Sequence, residues 1–340
     1  MVIKKYINFI FNDKNYRMKF LNKKTLLITG GTGSFGNAAV NYLLKNADLK
    51  KIIIFSRDEN KQFEMQNKFK HKSLRFFLGD VRDQERLLLA LNGVDFVIHA
   101  AAQKQVPAAE YNPFECIKTN IIGSNALISA AIKKKVSKVI AISTDKACNP
   151  INLYGAAKLC AEKLFINANV YSTNNAPVFS VARYGNVIAS RGSVIPFFIN
   201  KIKAKEELPL TDKNMSRFFI TLEDAVKFVF NCLEISKGQE IFIPKMNSIY
   251  IIDLIRILSK EAKVKITKIR PGEKIHEILC SEGEIRNVYA NKGYYVIYPE
   301  NFRSIKKKGK SVASNFNYAS NSKNFLDNKK IEKLIKTIKF

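Results

Sequence analysis

The feature that most restricts what this chain can fold into is an alternation running through its first half. Short apolar runs of strand length recur at Thr25–Thr29, Lys51–Phe55, Leu74–Leu78, Val94–His99, Lys138–Ser143 and Val178–Tyr184, each bounded by turn residues. Stretches of helical period lie between most of them. Such β-α alternation predicts an α/β fold built on a doubly wound parallel sheet with helices on both faces. The runs are apolar almost throughout, as strands buried on both sides are. From about Asn186 the pattern breaks down. There, helical stretches (Leu222–Leu233, Ile249–Ala262) mix with short strands (Glu240–Ile243, Lys265–Ile269).

Immediately after the first run comes LLITGGTGSFG, residues 26–36, in which Gly30, Gly33 and Gly36 form G-x-x-G-x-x-G ahead of a helix expected to begin near Ser34. Glycines at this spacing let the backbone turn tightly and approach a pyrophosphate, and the helix N-terminus supplies free N–H groups. In this strand–turn–helix setting the motif points to a Rossmann-like, dinucleotide-binding domain. The second strand ends in Phe55-Ser56-Arg57, where an NAD-selective fold usually places an acid. Ser56 can donate to a ribose 2′-phosphate and Arg57 can pair with it, which favours NADP. The alternative leaves Arg57 a surface charge and gives the ribose to Asp58. Asp80-Val81, at the end of the third strand, suits either an adenine contact or a helix N-cap ahead of Arg82. The small side chains of Ala100-Ala101-Ala102, after the fourth, either let a cofactor lie against the backbone or serve close packing.

The expected organisation has four parts: an extension at 1–20, expected to be disordered; the dinucleotide-binding domain at 21–186; a smaller substrate-binding lobe at 187–300, interleaved with the last strands; and a basic C-terminal segment at 301–340 with a helix around Lys329–Ile338.

Candidate chemistry centres on Thr144, Asp145, Lys146, Tyr154 and Lys158. Tyr154 and Lys158 form Y-x-x-x-K, and i,i+4 spacing puts both on one helix face. A phenol is a poor base near neutrality, but a nearby ammonium and a positively charged nicotinamide favour the phenolate. Tyr154 then becomes a base for a hydroxyl proton during hydride transfer. Asp145-Lys146 ends the fifth strand, on the sheet edge where doubly wound folds bind ligands. It reads either as an ion pair or cap, or as a second acid–base pair. A simple ketoreductase has no use for a second pair; an elimination needs one.

Charge is the one compositional extreme. The chain has 57 Lys and Arg against 29 Asp and Glu, a net +28. Such an excess can mark a nucleic-acid or acidic-membrane partner. Its distribution argues otherwise: residues 1–24 hold seven basic residues and one acid, and residues 301–340 hold eleven and two. Lys outnumbers Arg by 45 to 12 amid abundant Asn and Ile, which suggests an AT-rich coding genome more than a phosphate-binding surface. No nucleic-acid partner is expected; a modest pull toward anionic substrates or lipid stays open. No apolar run approaches the roughly 18 residues of a membrane span, so no integral membrane contact is expected. Cys116, Cys148, Cys160, Cys232 and Cys280 contain no C-x-x-C, and His71, His99 and His276 are scattered, so neither disulfides nor a metal site is signalled. A reducing cytoplasm is the expected compartment. The apolar stretch Tyr6–Phe11 is short for a secretory signal. Met18 is a candidate start, leaving residues 1–17 as an extension.

The motifs TGGTGSFG, SRDE, GDVRD, HAAAQKQVP, AEYNPFECIKTN, STDKACNPINLYGAAKL, RYGNVIASRGSVIPFF and RPGEKIHE together resemble the extended short-chain dehydrogenase/reductases. More narrowly, they resemble the inverting UDP-N-acetylglucosamine 4,6-dehydratases that begin pseudaminic acid synthesis. A related capsule-sugar branch typically lacks the tyrosine kept here as Tyr154, and retaining dehydratases carry Asp-Glu where this chain has Asp145-Lys146. Gln103 and Gln105 are variants on the family pattern, and residues 1–17 match nothing in it.

The resemblance implies a mechanism. Hydride leaves sugar carbon 4 for NADP while Tyr154 takes the hydroxyl proton. A neutral Lys146 removes the carbon 5 proton, and a protonated Asp145 assists loss of the 6-hydroxyl. Hydride then returns to carbon 6 and carbon 5 is reprotonated from the opposite face. Thr144 would hold the 4-oxygen and Lys158 the nicotinamide ribose. These roles require burial to lower Lys146 and raise Asp145. The resemblance adds Thr32, Ser34, Phe35, Lys61 and Lys104 to the cofactor contacts. It places Lys104, Thr119 and Asn120 at the cofactor–sugar junction, Asn186 and Val194 against the uridine diphosphate, and Arg217, Arg270 and Glu273 on phosphates and ribose, with Arg191 and Lys274 as substitutes for either arginine. It implies a homo-oligomer, a dimer or a hexamer. The competing readings are a UDP-sugar 4-epimerase on the same fold and a non-enzymatic NADP-binding scaffold.

Overall fold

The computed structural model describes residues 18–172, 177–188, 190, 192–300 and 307–336. The alternation resolves into β1 (Thr25–Thr29), β2 (Lys51–Ser56), β3 (Leu74–Leu78), β4 (Phe96–His99), β5 (Lys138–Thr144) and β6 (Val178–Tyr184), followed by β7 (Asn186–Val187), β8 (Leu208–Leu210) and β9 (Ser216–Ile220). Then come β10 (Ile241–Pro244), β11 (Asn247–Tyr250), β12 (Val264–Ile266), β13 (Val288–Ala290), β14 (Tyr294–Ile297) and β15 (Lys310–Ser311). The main sheet runs β15-β13-β14-β10-β6-β5-β4-β1-β2-β3. Its wound portion is parallel from β3 through β10, and β14, β13 and β15 continue it antiparallel. Every residue of β1 is buried, as expected of a central strand covered on both faces.

The order reverses between β1 and β4. Chain leaving β1 turns to one side of the sheet and chain leaving β4 to the other, so a crevice opens at their carboxyl ends. The later strands form a second body. Sheets β11-β9-β7 and β12-β8 pack with the helix Val194–Lys203 around Ile195, Phe198, Leu208, Leu210, Phe219 and Leu254.

Two expectations change here, and the C-terminal segment proves to be part of both cores. The helix read over Ile249–Ala262 covers only Ile251–Leu258; Asn247–Tyr250 is a strand, because its edge pairs antiparallel with β9. The extension drawn to residue 20 ends earlier, since Met18 is 1% exposed and Leu21 fully buried in the main core. The basic C-terminal segment is not an appendage. Ile331 and Ile335, on the helix Asn328–Lys336, complete the second core, and Tyr318 is fully buried in the first. The Tyr318 hydroxyl donates to the Pro244 carbonyl at 2.7 Å and accepts from the Met246 amide at 2.7 Å. The expected extension over 1–17 and Arg191 lie outside the described residues. Among those described, no helix is long and apolar enough to cross a membrane.

Candidate active site

The glycine loop after β1 shows why its residues are glycines. Gly30 has φ +63°, and a Cβ there would stand 2.8 Å from the backbone of Ala101. At Gly36 a Cβ would stand 1.9 Å from the Gly31 carbonyl oxygen, so only glycine lets the helix Ser34–Asn46 close onto the turn. That helix starts at Gly33 without a side-chain cap. Its neighbours in the wound half, Glu59–Lys68, Gln84–Ala90 and Leu153–Ala168, are capped by Asp58, Asp83 and Asn152. The N-terminus of that helix opens on the crevice, where Gly33 and Ser34 line it, so its positive dipole end faces any anion bound there.

A cleft of about 440 Å³ runs from this loop across the carboxyl ends of the strands. Gly30, Gly33, Ser34 and Phe35 line it at one end, Ala100, Ala101, Ala102 and Lys104 along one wall, and Thr144, Lys146, Tyr154 and Lys158 at the centre. Asn186, Ser193 and Gly192 line its far side. The alanine wall is set from behind by a buried chain: His99 meets Thr29 Oγ1 at 2.8 Å, and Thr29 Oγ1 accepts from the Ala101 amide at 3.3 Å. Burial pushes His99 down to about 3, so the ring is neutral.

Ser56 is buried and its hydroxyl accepts from Gln62 Nε2 at 3.0 Å. Arg57 is mostly exposed, with one long contact to Asp80 at 3.4 Å. Asp58 is occupied, accepting from the Lys61 amide at 2.9 Å as the helix cap and pairing with the Lys61 ammonium. Asp80 binds Arg82 through the amide at 2.9 Å and the guanidinium at 2.6 Å, and its carboxyl is held below the usual range by Arg82 and Arg57 against the opposing cost of burial. The helix cap considered for Asp80 belongs instead to Asp83, which accepts from the Arg86 amide at 2.9 Å. Val81 is buried. Thr32 is buried, and its carbonyl accepts from Asn37.

At the centre, Asp145 is fully buried and Lys146 bridges two carboxylates, with Nζ 3.1 Å from Asp145 Oδ1 and 3.3 Å from Glu277 Oε1. Thr144 Oγ1 donates to Asp145 Oδ1 at 2.9 Å. Burial, reinforced by Glu277, raises the Asp145 carboxyl, as its acid role requires. Lys146 departs from expectation. Burial would lower it, but Asp145 and Glu277 together raise it above the ordinary lysine range, so it is an ammonium. Tyr154 also departs: burial pushes its phenol up to about 12. The ammonium that opposes this is that of Lys146, assisted by a hydrogen bond to Thr144, rather than that of Lys158. Lys158 donates to the Ile142 carbonyl at 2.7 Å, and burial lowers it to about 8.

Several substrate candidates turn out to act on the backbone. Asn120 sits in a π-helical turn, Lys118–Ile122, of a kind common at functional sites. Its amide side chain accepts from the Gln103 amide at 2.8 Å and donates to the Gln103 carbonyl at 2.9 Å, fixing the loop that carries Lys104. Thr119 is buried beside it and does not line the cleft. Arg217 was expected on phosphate. It is buried instead and donates to the carbonyls of Ser216, Lys274 and Ile275 at 2.7–2.9 Å. Glu273 stands 3.8 Å from Arg217, and its carboxylate accepts from the Arg270 amide at 3.4 Å. The Arg270 side chain is exposed, and Lys274 is committed to the Cys148 carbonyl at 2.6 Å. Val194 opens its helix just outside the cleft, one residue from Ser193. Glu277, which the sequence reading did not single out, belongs to the RPGEKIHE motif; only tertiary contact reveals that it faces Lys146.

The comparisons agree with this geometry. Over 312 residues, the chain is 51% identical to the UDP-N-acetylglucosamine 4,6-dehydratase (inverting) of Campylobacter jejuni serotype O:2, spanning 88% of this chain and 93% of the relative. It is 42% identical to a protein of Rickettsia akari named UDP-glucose 4-epimerase, spanning 93% and 96%. The X-ray structure of Pen from Bacillus thuringiensis superimposes with a TM-score of 0.87 at 35% identity, covering 94% of this chain and 98% of that one. More distant structures, 21–22% identical and with NAD bound, share the fold. A model of the polysaccharide biosynthesis protein family matches residues 26–299. On that match, and on these identities over nearly its whole length, the chain belongs to the polysaccharide biosynthesis protein family within the extended short-chain dehydrogenase/reductases.

Proposed function

We propose that this protein is an inverting UDP-N-acetylglucosamine 4,6-dehydratase that works through NADP and makes the first intermediate of pseudaminic acid synthesis. The observation that carries the reading is the meeting at one cleft of Tyr154 and Lys158 with Lys146, whose ammonium pairs at 3.1 Å with the fully buried Asp145 behind it. The cofactor would be held by the loop at Gly30–Gly36, by Ala100–Ala102 and by Lys158; the closeness of Gly30 to Ala101 leaves the cradle free of side chains. A bound nicotinamide supplies hydride acceptance from carbon 4, hydride return to carbon 6 and a positive charge favouring the Tyr154 phenolate. NADP is preferred because Asp58 is committed as a helix cap while the Arg57 guanidinium extends to solvent.

The chain's own groups do the rest. Tyr154 takes the 4-hydroxyl proton, with Thr144 bonded to it. The ketone so formed acidifies carbon 5. A single proton shift along the 3.1 Å bond from Lys146 to Asp145 turns the ion pair into a neutral amine and a carboxylic acid. A dry site favours that neutral pair, since burial penalises both charges. The amine removes the carbon 5 proton and the acid protonates the departing 6-hydroxyl. Inversion follows when a proton reaches carbon 5 from the opposite face. The same reading has the enzyme working in the cytoplasm as a homo-oligomer, for which the exposed Tyr111 and Phe114 offer apolar surface.

The second reading, a 4-epimerase, draws on the name of the Rickettsia akari relative. Incubation with UDP-N-acetylglucosamine in deuterated water, followed by NMR, separates the two. Water loss with deuterium at an inverted carbon 5 is the expected result. Interconversion at carbon 4 with no dehydration would replace it with the epimerase.

A further inference from the structure

The Lys146 ammonium has two carboxylate partners, and the elimination written above uses only one. Glu277 is 2% exposed and reaches the site from the loop between β12 and the short helix Glu282–Ile285. Burying a carboxylate is costly unless it is well partnered. Glu277 is held in place mainly through its backbone. Its amide donates to Ser320 Oγ at 2.9 Å, its carbonyl accepts from the Ser320 amide at 2.8 Å, and Ser320 Oγ meets Ser216 Oγ at 2.7 Å. Arg217 grips the carbonyls of Lys274 and Ile275 just ahead of it.

The carboxylate itself is spent sparingly. Oε1 lies 3.3 Å from Lys146 Nζ and 3.8 Å from Arg217 Nε, and Oε2 lies 3.9 Å from Lys274 Nζ. Its nearest charge is therefore Lys146. The groups facing Lys146 are Asp145, Glu277, Arg217 and Tyr154; those facing Glu277 are Lys146, Asp145, Arg217 and Lys274.

We propose that Glu277 is a positioning residue for the Asp145–Lys146 pair: from the loop after β12 it fixes the Lys146 amine on its line to Asp145 and sets the charge at which that pair rests. The proposal rests on the dehydratase reading. Removing the Glu277 charge relieves attraction on the Lys146 ammonium and repulsion on the Asp145 carboxylate. Both changes make the pair give up its protons more easily.

The test is the pH profile of water loss from UDP-N-acetylglucosamine and of carbon 5 exchange with deuterated water, for the parent, Glu277→Gln and Glu277→Asp. The bell-shaped profile of Glu277→Gln is expected to move to lower pH on both limbs, by about one unit, the ordinary effect of deleting an opposite charge at this range. Glu277→Asp, which withdraws the carboxylate by one methylene, is expected to move less in the same direction, and it decides the question if the glutamine variant does not fold. A profile that loses height without moving, or an effect confined to KM, overturns the proposal and leaves Glu277 as a tie between loops. A parent enzyme that fails to dehydrate overturns the functional reading instead. In that case NMR titration of the 13C-methylated Lys146 amine, assigned with Lys146→Arg, still decides: it should titrate lower in Glu277→Gln, and an unchanged titration sinks the inference.

Discussion

Two buried ion networks tie the wound half of this protein to the segment between residues 273 and 285, and they are built to opposite standards. In the first, Arg183 on β6 donates to Glu162 at 2.6 and 2.9 Å, to Glu284 at 2.8 and 3.0 Å, and to the Leu279 carbonyl at 3.0 Å. In the second, Lys146 makes longer contacts, and Asp145 Oδ2 and Glu277 Oε2 are buried without a hydrogen-bond partner. A planar guanidinium satisfying two carboxylates is a fixed clamp. An ammonium between two carboxylates that each keep an oxygen unpaired is a looser, incompletely satisfied network. The difference separates a fully satisfied clamp from the looser network to which the proposed mechanism assigns the moving protons.

Lys146→Met should give the largest effect, a loss of dehydration of about 10²–10⁴-fold, the usual worth of a general acid–base group; product formation measures it, and a variant retaining near-parental turnover would place the chemistry elsewhere. Arg183→Met should act on the other property. It leaves Glu162 buried and unpaired and strips the half-buried Glu284 of its guanidinium, so urea unfolding should show a loss of about 3–5 kcal/mol, and a stable variant would mean the clamp is dispensable. Acid should discriminate between the networks without mutation. Glu284 is held down to about 2 by Arg183 and by Ser281, despite burial. Its folded value lies below its unfolded one, so its contribution is present above the ordinary glutamate range and fades as pH falls toward 2. Unfolding midpoints should drop over that window, and Glu284→Gln should flatten the drop. The smallest effect falls outside both networks: if the proposed NADP reading holds, Arg57→Ala should weaken NADP binding relative to NAD by about tenfold, one charge-assisted contact, with binding titrations of the two cofactors as the check.

What the sequence disclosed and what it hid divide along the same line. The glycine turn and the Tyr154–Lys158 pair rest on spacing within one strand–turn or one helix, and both are where local geometry puts them. The strand Asn247–Tyr250 runs into an apolar stretch that reads equally as helix from Ile249 on, and only pairing with β9 decides it. Asn120 and Arg217 are residue types that bind ligands, yet both spend their donors on the backbone of loops distant in sequence. The charge on Lys146 was beyond reach for the same reason, since Glu277, distant in sequence, adds to the field of Asp145 acting on it.

Ser320 gives this arrangement a consequence in time. Domains generally fold as units as a chain is synthesised, N-terminal parts first. The glycine loop, Tyr154 and Lys158 all lie in the portion made early, whereas Glu277 is anchored by a residue near the far end of the chain. A nascent chain could therefore form the cradle for its cofactor well before the Lys146 site is finished. Ribosome-bound chains stalled short of Ser320 should capture dinucleotide yet leave sugar substrate untouched, so that synthesis itself delays the onset of chemistry until the second lobe has been stitched shut.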